Sequence, residues 1–294
     1  MKVKVIRVII ANFTILCSLV SVAFYTITER KFLSLSQNRK GPAKVGYLGI
    51  LQAFADAVKL FTKESVIPAN SNLKILKFSS ATFFQMCGYL WVFRLSYNHY
   101  GFEKFSLLNL VILMGFCIFP LFFAAWSCNS LYTLLGAYRI TAQTISYEIS
   151  LIILILIIGG RGNLLNLKYP NSFPLILILL PLLLVWLFTV TAETHRAPFD
   201  FAEGERELVS GFNLEFSGTY FSLLFLAEYL NILFLSTVTS FLFIGYGDLA
   251  VIITLIFLRL RTSFPRLRYD FLISVFWVLL LPFSLLSISL LCSL

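Results

Sequence analysis

Charge is what this chain has least of. Aspartate, glutamate, lysine and arginine make up 13% of its 294 residues while 59% are hydrophobic, whereas a soluble domain carries about a quarter charged residues. No polar block is long enough to fold as a separate soluble domain, so the composition points to a single membrane domain over residues 1–294. Histidine is nearly absent, and the five cysteines (Cys17, Cys87, Cys117, Cys128 and Cys292) stand singly in or beside apolar runs. That spacing excludes a zinc ligand set and a disulfide framework and leaves the cysteines as small buried hydrophobes. A phosphate-binding glycine loop and a nucleophile elbow are also missing. The sequence therefore reveals no metal site, no electron cofactor of its own and no catalytic constellation. Basic residues followed by an apolar run open the chain, but no small-residue cleavage site precedes Glu29, so a retained first span is expected. An amphipathic organelle presequence is lacking, which fits synthesis in the compartment of use or a bacterial inner membrane.

What is present is a succession of apolar runs, at about 5–27, 73–93, 107–126, 131–158, 174–192, 218–243, 249–260 and 271–291. They predict an all-α integral membrane protein with eight transmembrane helices. The seventh run is short, covering about 18 Å at 1.5 Å per residue, so its helix is expected either to extend into Arg261 to Phe264 or to leave the bilayer locally thin. Pro120, Pro181 and Pro282 are expected to kink helices rather than end them. The first loop, Glu29 to Asn72, carries a second periodicity between Gly49 and Lys63. Ile50, Leu51, Phe54, Val58 and Phe61 share one helical face, opposite Gln52, Asp56, Lys59 and Lys63, which predicts an amphipathic helix lying in the membrane interface.

The net charge of +9 would suggest nucleic acid in a soluble protein; here it reads as topology and lipid contact. With eight spans, fifteen of the 23 basic residues fall on the side of the loops after spans one, three, five and seven, counting those at the span ends, and seven on the opposite side. Arg139 lies within the fourth span. The acidic residues are distributed very differently. Six of the 14 (Glu193, Asp200, Glu203, Glu205, Glu207 and Glu215) fall between Ala192 and Phe216, on the basic side. Phe199, Phe201, Phe212 and Phe216 alternate with them, so the loop is expected to fold back and partly bury its acids. Crowded, desolvated carboxylates exchange protons near neutral pH, which makes Glu193, Asp200, Glu203, Glu205 and Glu207 a candidate proton-accepting set. Glu148 and Glu228 lie inside spans, where a charge is costly and marks a proton or ion path. On span four, Arg139, Gln143 and Ser146 share a face and Glu148 points away from it. His195 reads as a hydrogen-bonded structural residue rather than a catalyst.

Five blocks (ERKFLSLSQNRKGPAKVGYLGILQAFADAVKLFTKE from Glu29, RITAQTISYEISL from Arg139, the loop from Ala192, AEYLN from Ala227 and FPRLRYD from Phe264) resemble NADH dehydrogenase subunit 1, the membrane subunit beside the quinone chamber of respiratory complex I. The resemblance covers almost the whole chain. It implies eight spans in the mitochondrial inner membrane with the acidic and basic loops on the matrix side, and ubiquinone as substrate. It also implies other membrane and peripheral subunits as partners, which carry the iron-sulfur clusters and FMN. By the same resemblance Arg30, Arg39, Asp56, Arg196, Arg261 and Arg266 line the quinone path. Glu148, Glu193, Asp200, Glu203, Glu205, Glu207 and Glu228 belong to the proton path. The chain departs from the family at Ala43, where Asn is usual, at Ala53 (Pro), at His195 (Asn) and at Arg206 (a small polar residue). Arg206 puts a cation between Glu205 and Glu207. The competing reading is a stand-alone secondary proton or ion transporter, but inverted repeats of spans, its signature, are not evident. An anchor for a soluble partner would explain the basic loops and not Glu148 or Glu228.

Overall fold

The computed structural model describes residues 2–66, 68–99, 106–161, 180–200, 211–244 and 249–293. They are helical, with no strand among the described residues. The helices are α1 (Lys2–Ser36), α2 (Gln52–Thr62), α3 (Leu73–His99), α4 (Ser106–Phe116), α5 (Ile118–Ser127), α6 (Leu131–Arg161), α7 (Leu180–Glu193), α8 (Gly218–Ile244), α9 (Ala250–Ser263), α10 (Tyr269–Ser274) and α11 (Leu281–Ser293). Among the described residues, five stretches are long and apolar enough to cross a membrane: Ile9–Ser36, Asn109–Ser127, Leu131–Ile157, Gly218–Ile244 and Tyr269–Ser287. Pro181–Glu193 is a shorter apolar helix. Of the two expectations for the short seventh run, the structure shows extension: α9 continues through Arg261 to Ser263.

The prolines act where backbone chemistry says they should. Pro120 cannot donate to Phe116 four residues back, and α4 stops at Phe116 before α5 resumes at Ile118. Pro282 cannot donate to Val278, which lies in the π-helical stretch Val275–Leu280 joining α10 to α11. Pro181 is the second residue described in α7.

The centre of the bundle is α8, buried on nearly every face and packed on α3, α9, α2 and α1. Its small polar residues do not oppose that burial, because Ser236, Thr237, Thr239 and Ser240 each donate to the carbonyl three residues back. Small side chains also let helices approach closely inside a membrane bundle. Trp91 on α3 fixes that contact by donating to the Leu230 carbonyl at 3.1 Å. A second layer forms where α6 packs against α5, α7 and α11.

The amphipathic helix is α2. It leaves Phe54, Val58 and Phe61 exposed on the apolar face and buries Ala53. Phe54 meets Phe24 of α1 edge to face at 6.2 Å. At Ala53 the chain carries a backbone amide that proline would lack, and in the first turn of α2 that amide has no intrahelical acceptor. The turn entering α2 depends on Gly49, at φ +76°, where an added Cβ would lie 2.3 Å from the Pro42 carbonyl oxygen. A backbone atom cannot yield as a side chain can. Gly49→Ala is therefore expected to destabilise the α1–α2 connection by about 1–3 kcal/mol. Faster limited proteolysis between Arg39 and Gln52 in native membranes would register it.

Candidate functional site

Among the described residues three carboxylates are buried inside the helix bundle, and two of them meet arginines brought from loops and helix ends. Glu228 on α8 pairs with Arg196 at 3.2 Å. Both are withdrawn from solvent, with side-chain exposures of 6% and 15%, so truncating either one would leave a buried charge costing about 3–5 kcal/mol. The Arg196 guanidinium also lies over the ring of Tyr229, 4.6 Å from its centroid, and over Phe225 at 5.4 Å. These faces attract a desolvated cation. Tyr229 in turn donates its hydroxyl to Glu29 on α1 at 2.5 Å, and Glu29 pairs with Arg261 of α9. One connected network thus joins the loop after α7 to α8, α1 and α9.

The third buried carboxylate, Glu193, ends α7. Asn231 of α8 hydrogen-bonds it, and one of its oxygens has no protein partner among the described residues. Glu193 and Glu228 line the same internal cavity of about 40 Å³, with Thr144 and Tyr147 of α6, Thr194, His195 and Asn231. His195 is held in this turn at φ +50°, and its ring centroid lies 6.2 Å from that of Tyr147.

Gln143 explains why the turn after α7 sits against the bundle. Its side-chain amide donates to the carbonyls of Ala192 at 3.0 Å and Phe199 at 3.1 Å. One bond satisfies a carbonyl at the end of α7 and the other pins the returning chain. Phe199 is buried with Tyr147, Ala192, Leu272 and Phe276. The Leu267 amide donates to the Pro198 carbonyl, and Arg266 pairs with Asp200 at 2.9 Å. Ser146, on the Gln143 side of α6, receives the Trp277 indole N–H at 3.3 Å, and Arg139 lies over the Tyr269 ring at 5.9 Å. Glu148 points the other way, toward α4, where a Cβ added at Gly115 would lie 2.4 Å from its Oε1. The division of α6 into two polar faces is the one that helical periodicity predicts.

Of the residues expected on the quinone path, Arg30 and Asp56 pair at 2.7 Å, and Gln52 donates to the other Asp56 oxygen at 2.8 Å. That pair is substantially exposed and contributes about 0–1 kcal/mol to stability. Arg39 is exposed beyond the end of α1. Arg196 and Arg261 are drawn into the buried carboxylate network, so the two expected sets interlock. Phe216 is buried. Phe201, Glu203, Glu205, Arg206 and Glu207, and the side chain of Phe212, lie outside the described residues. Among the described residues no three His, Cys, Asp or Glu side chains gather as metal ligands.

Sequence reading missed Glu29, Tyr229, Asn231 and Gln143 as parts of this centre, and it took His195 for a satisfied residue. For Glu29 a signal existed: an acid immediately after a long apolar run and immediately before Arg30 and Lys31. Asn231 lies three residues after Glu228, on the same face of α8.

Residues 9–292 match the family described as NADH dehydrogenase. NADH-ubiquinone oxidoreductase chain 1 of Aedes aegypti is 44% identical over 287 residues, covering 92% of this chain and 90% of that protein. The protein of the same name from Artemia franciscana is 44% identical, covering 91% and 92%, and that from Sarcophilus harrisii 39%, covering 91% and 90%. The chain belongs to the NADH dehydrogenase family that contains these NADH-ubiquinone oxidoreductase chain 1 proteins, and is a membrane subunit of NADH:ubiquinone oxidoreductase.

Proposed function

We propose that this chain forms much of the ubiquinone-binding chamber of the enzyme and the start of an acidic path that couples quinone reduction to proton translocation. It acts as one membrane domain of eight spans in the mitochondrial inner membrane, with its basic and acidic loops facing the matrix. Ubiquinone is the substrate. Electrons come from iron-sulfur clusters and FMN on partner subunits, and surrounding lipid and other membrane subunits contact the apolar faces.

One observation carries this reading: Arg196, from the loop side, is paired with Glu228 inside the bundle, beside a cavity that also holds Glu193. A reduced quinone headgroup develops negative charge until it is protonated. Near Arg196 or Arg261 that charge competes with Glu228 and Glu29 for the guanidinium. A carboxylate that loses its cation becomes a stronger base and takes up a proton. Arg30, Asp56 and Arg39 serve the mouth of the chamber next to the apolar face of α2, where an isoprenoid tail enters from lipid. Arg266 and Asp200 hold the returning loop. Glu148 continues the acidic path toward α4, and Glu203, Glu205 and Glu207 are assigned to the same path by family resemblance.

Photo-crosslinking with a quinone analogue in native membranes, followed by peptide mapping, is expected to label peptides containing Asp56 or Arg196. Absence of labelling, combined with ion transport by the purified chain alone, would overturn the reading. Gly115→Ala drives a methyl into the Glu148 carboxylate, so it is expected to slow proton translocation about tenfold or more. Gly88→Ala on α3, where an added Cβ meets nothing within 4 Å, is the matched control with native rates.

Burial, and then the neighbouring Arg196 guanidinium, push the His195 imidazole down to about 4. This lowered value favours the folded state above the unfolded pKa of about 6.5. The advantage is lost as pH falls from about 6.5 through about 4, because only the unfolded chain then binds the proton. The slope reaches at most about 1.4 kcal/mol per pH unit. Thermal inactivation of the assembled enzyme is expected to accelerate between about pH 7 and pH 5, and His195→Asn to remove that part of the acceleration.

A further inference from the structure

Three residues lining one small cavity each carry a buried polar atom without a protein partner among the described residues: Glu193 Oε2 at the end of α7, His195 Nδ1 in the turn that follows and Asn231 Oδ1 on α8. His195 as a residue is partly exposed, but its Nδ1 is fully buried. Three unpaired atoms around one void are not explained by packing, since a buried acceptor without a donor is destabilising. The void measures about 40 Å³. A water needs about 10–15 Å³ of such space and two to four polar partners, so the cavity takes one to three waters. One water has two O–H donors. With Glu193 ionised and Nδ1 unprotonated, satisfying three acceptors requires at least two waters, which the volume allows, and a protonated Glu193 donates to one of them instead. Glu228 and the hydroxyl-bearing Thr144 and Thr194 complete the polar wall.

We propose that His195 is a water-positioning residue whose Nδ1 accepts a hydrogen bond from a water in this cavity and so holds the waters that join Glu193 to Glu228. The inference rests on the proton-path reading and assigns that path a link outside the carboxylates themselves. The imidazole keeps its protons throughout. A proton leaving the Glu193 carboxyl passes to the first water as that water releases one to the next, and the last releases one to the Glu228 carboxylate, so the waters end unchanged. The titratable groups lining the cavity with His195 are Tyr147 of α6, Glu193 of α7, Glu228 of α8 and Cys117 between α4 and α5, with Arg196 beside the ring in its own turn. A neutral imidazole keeps one ring nitrogen as an acceptor and the other as a donor, which a protonated ring beside Arg196 could not do.

The backbone supports a sharp test. At φ +50° asparagine is comfortable, and it offers an amide acceptor from the same turn. Leucine and methionine offer none. In the assembled enzyme reconstituted into liposomes, His195→Leu is expected to slow proton uptake per quinone reduced about tenfold. It is also expected to abolish an O–H stretching band sensitive to ¹⁸O-water in the infrared difference spectrum of quinone reduction. His195→Asn keeps both within about twofold. If His195→Leu fails to assemble, His195→Met is measured in its place with the same expectation. Native proton uptake and an intact water band in the apolar variant would overturn the proposal. So would an asparagine variant as impaired as the apolar one, because packing rather than water would then be the cause. Glu193→Gln separates the two levels: native uptake in that variant overturns the proton path and His195 with it. Slow uptake there beside native uptake in His195→Leu overturns the water role alone.

Discussion

The burial of carboxylates inside a bundle of apolar helices is the constraint on which the rest of this structure depends. A charge moved out of water into such surroundings is tolerated only with a close counter-charge and further hydrogen bonds. Glu228 and Glu29 meet that requirement with Arg196 and Arg261, and Tyr229 binds the two pairs into one network through its hydroxyl and its ring. Arg196 does not belong to a long helix. It reaches Glu228 only because the chain after α7 turns back over the bundle, and Gln143 and Phe199 hold it there. Satisfying the buried acids therefore dictates the path of the loop, and the loop in turn closes the cavity beside Glu193.

That arrangement has a functional logic. Arg196 and Arg261 each hold a buried carboxylate, so charge appearing on one side of either guanidinium is felt on the other. Exposed pairs such as Arg30 with Asp56 are weak and exchange partners readily. Buried pairs are strong against loss of one member and responsive to a competing anion. Glu193 differs from both, because its neighbours are Asn231 and a small polar void rather than an arginine. A group in those surroundings can change its proton without breaking an ion pair.

Much of this was legible from residue order. Helical periodicity separated Arg139, Gln143 and Ser146 from Glu148 on α6, and the structure places the two groups against different neighbours. The amphipathic pattern from Ile50 to Lys63 located α2, although the helix starts at Gln52 because Gly49 first turns the chain with a positive φ. Burial of Phe199 and Phe216 followed from aromatics alternating with acids. The pairings were less legible. Arg196 is followed 32 residues later by Glu228, and Glu29 is separated from Tyr229 by 200 positions. No local pattern encodes contacts at such distances.

His195 marks the boundary between the two kinds of information. Its sequence neighbours, Thr194 and Arg196, suggest an ordinary polar turn, and nothing in them predicts a ring nitrogen facing a void. By itself the sequence determined the class of the protein, the apolar runs that form its helices, the amphipathic helix α2, and Glu193 and Glu228 among its costly charges, though not Glu29. All of these follow from composition and from the 3.6-residue period of a helix against a hydrocarbon layer. Only the tertiary structure decided which arginine answers which carboxylate, and which polar atoms are left for water. Those depend on how α1, α6, α7, α8 and α9 pack, and packing brings together residues that the chain itself keeps far apart.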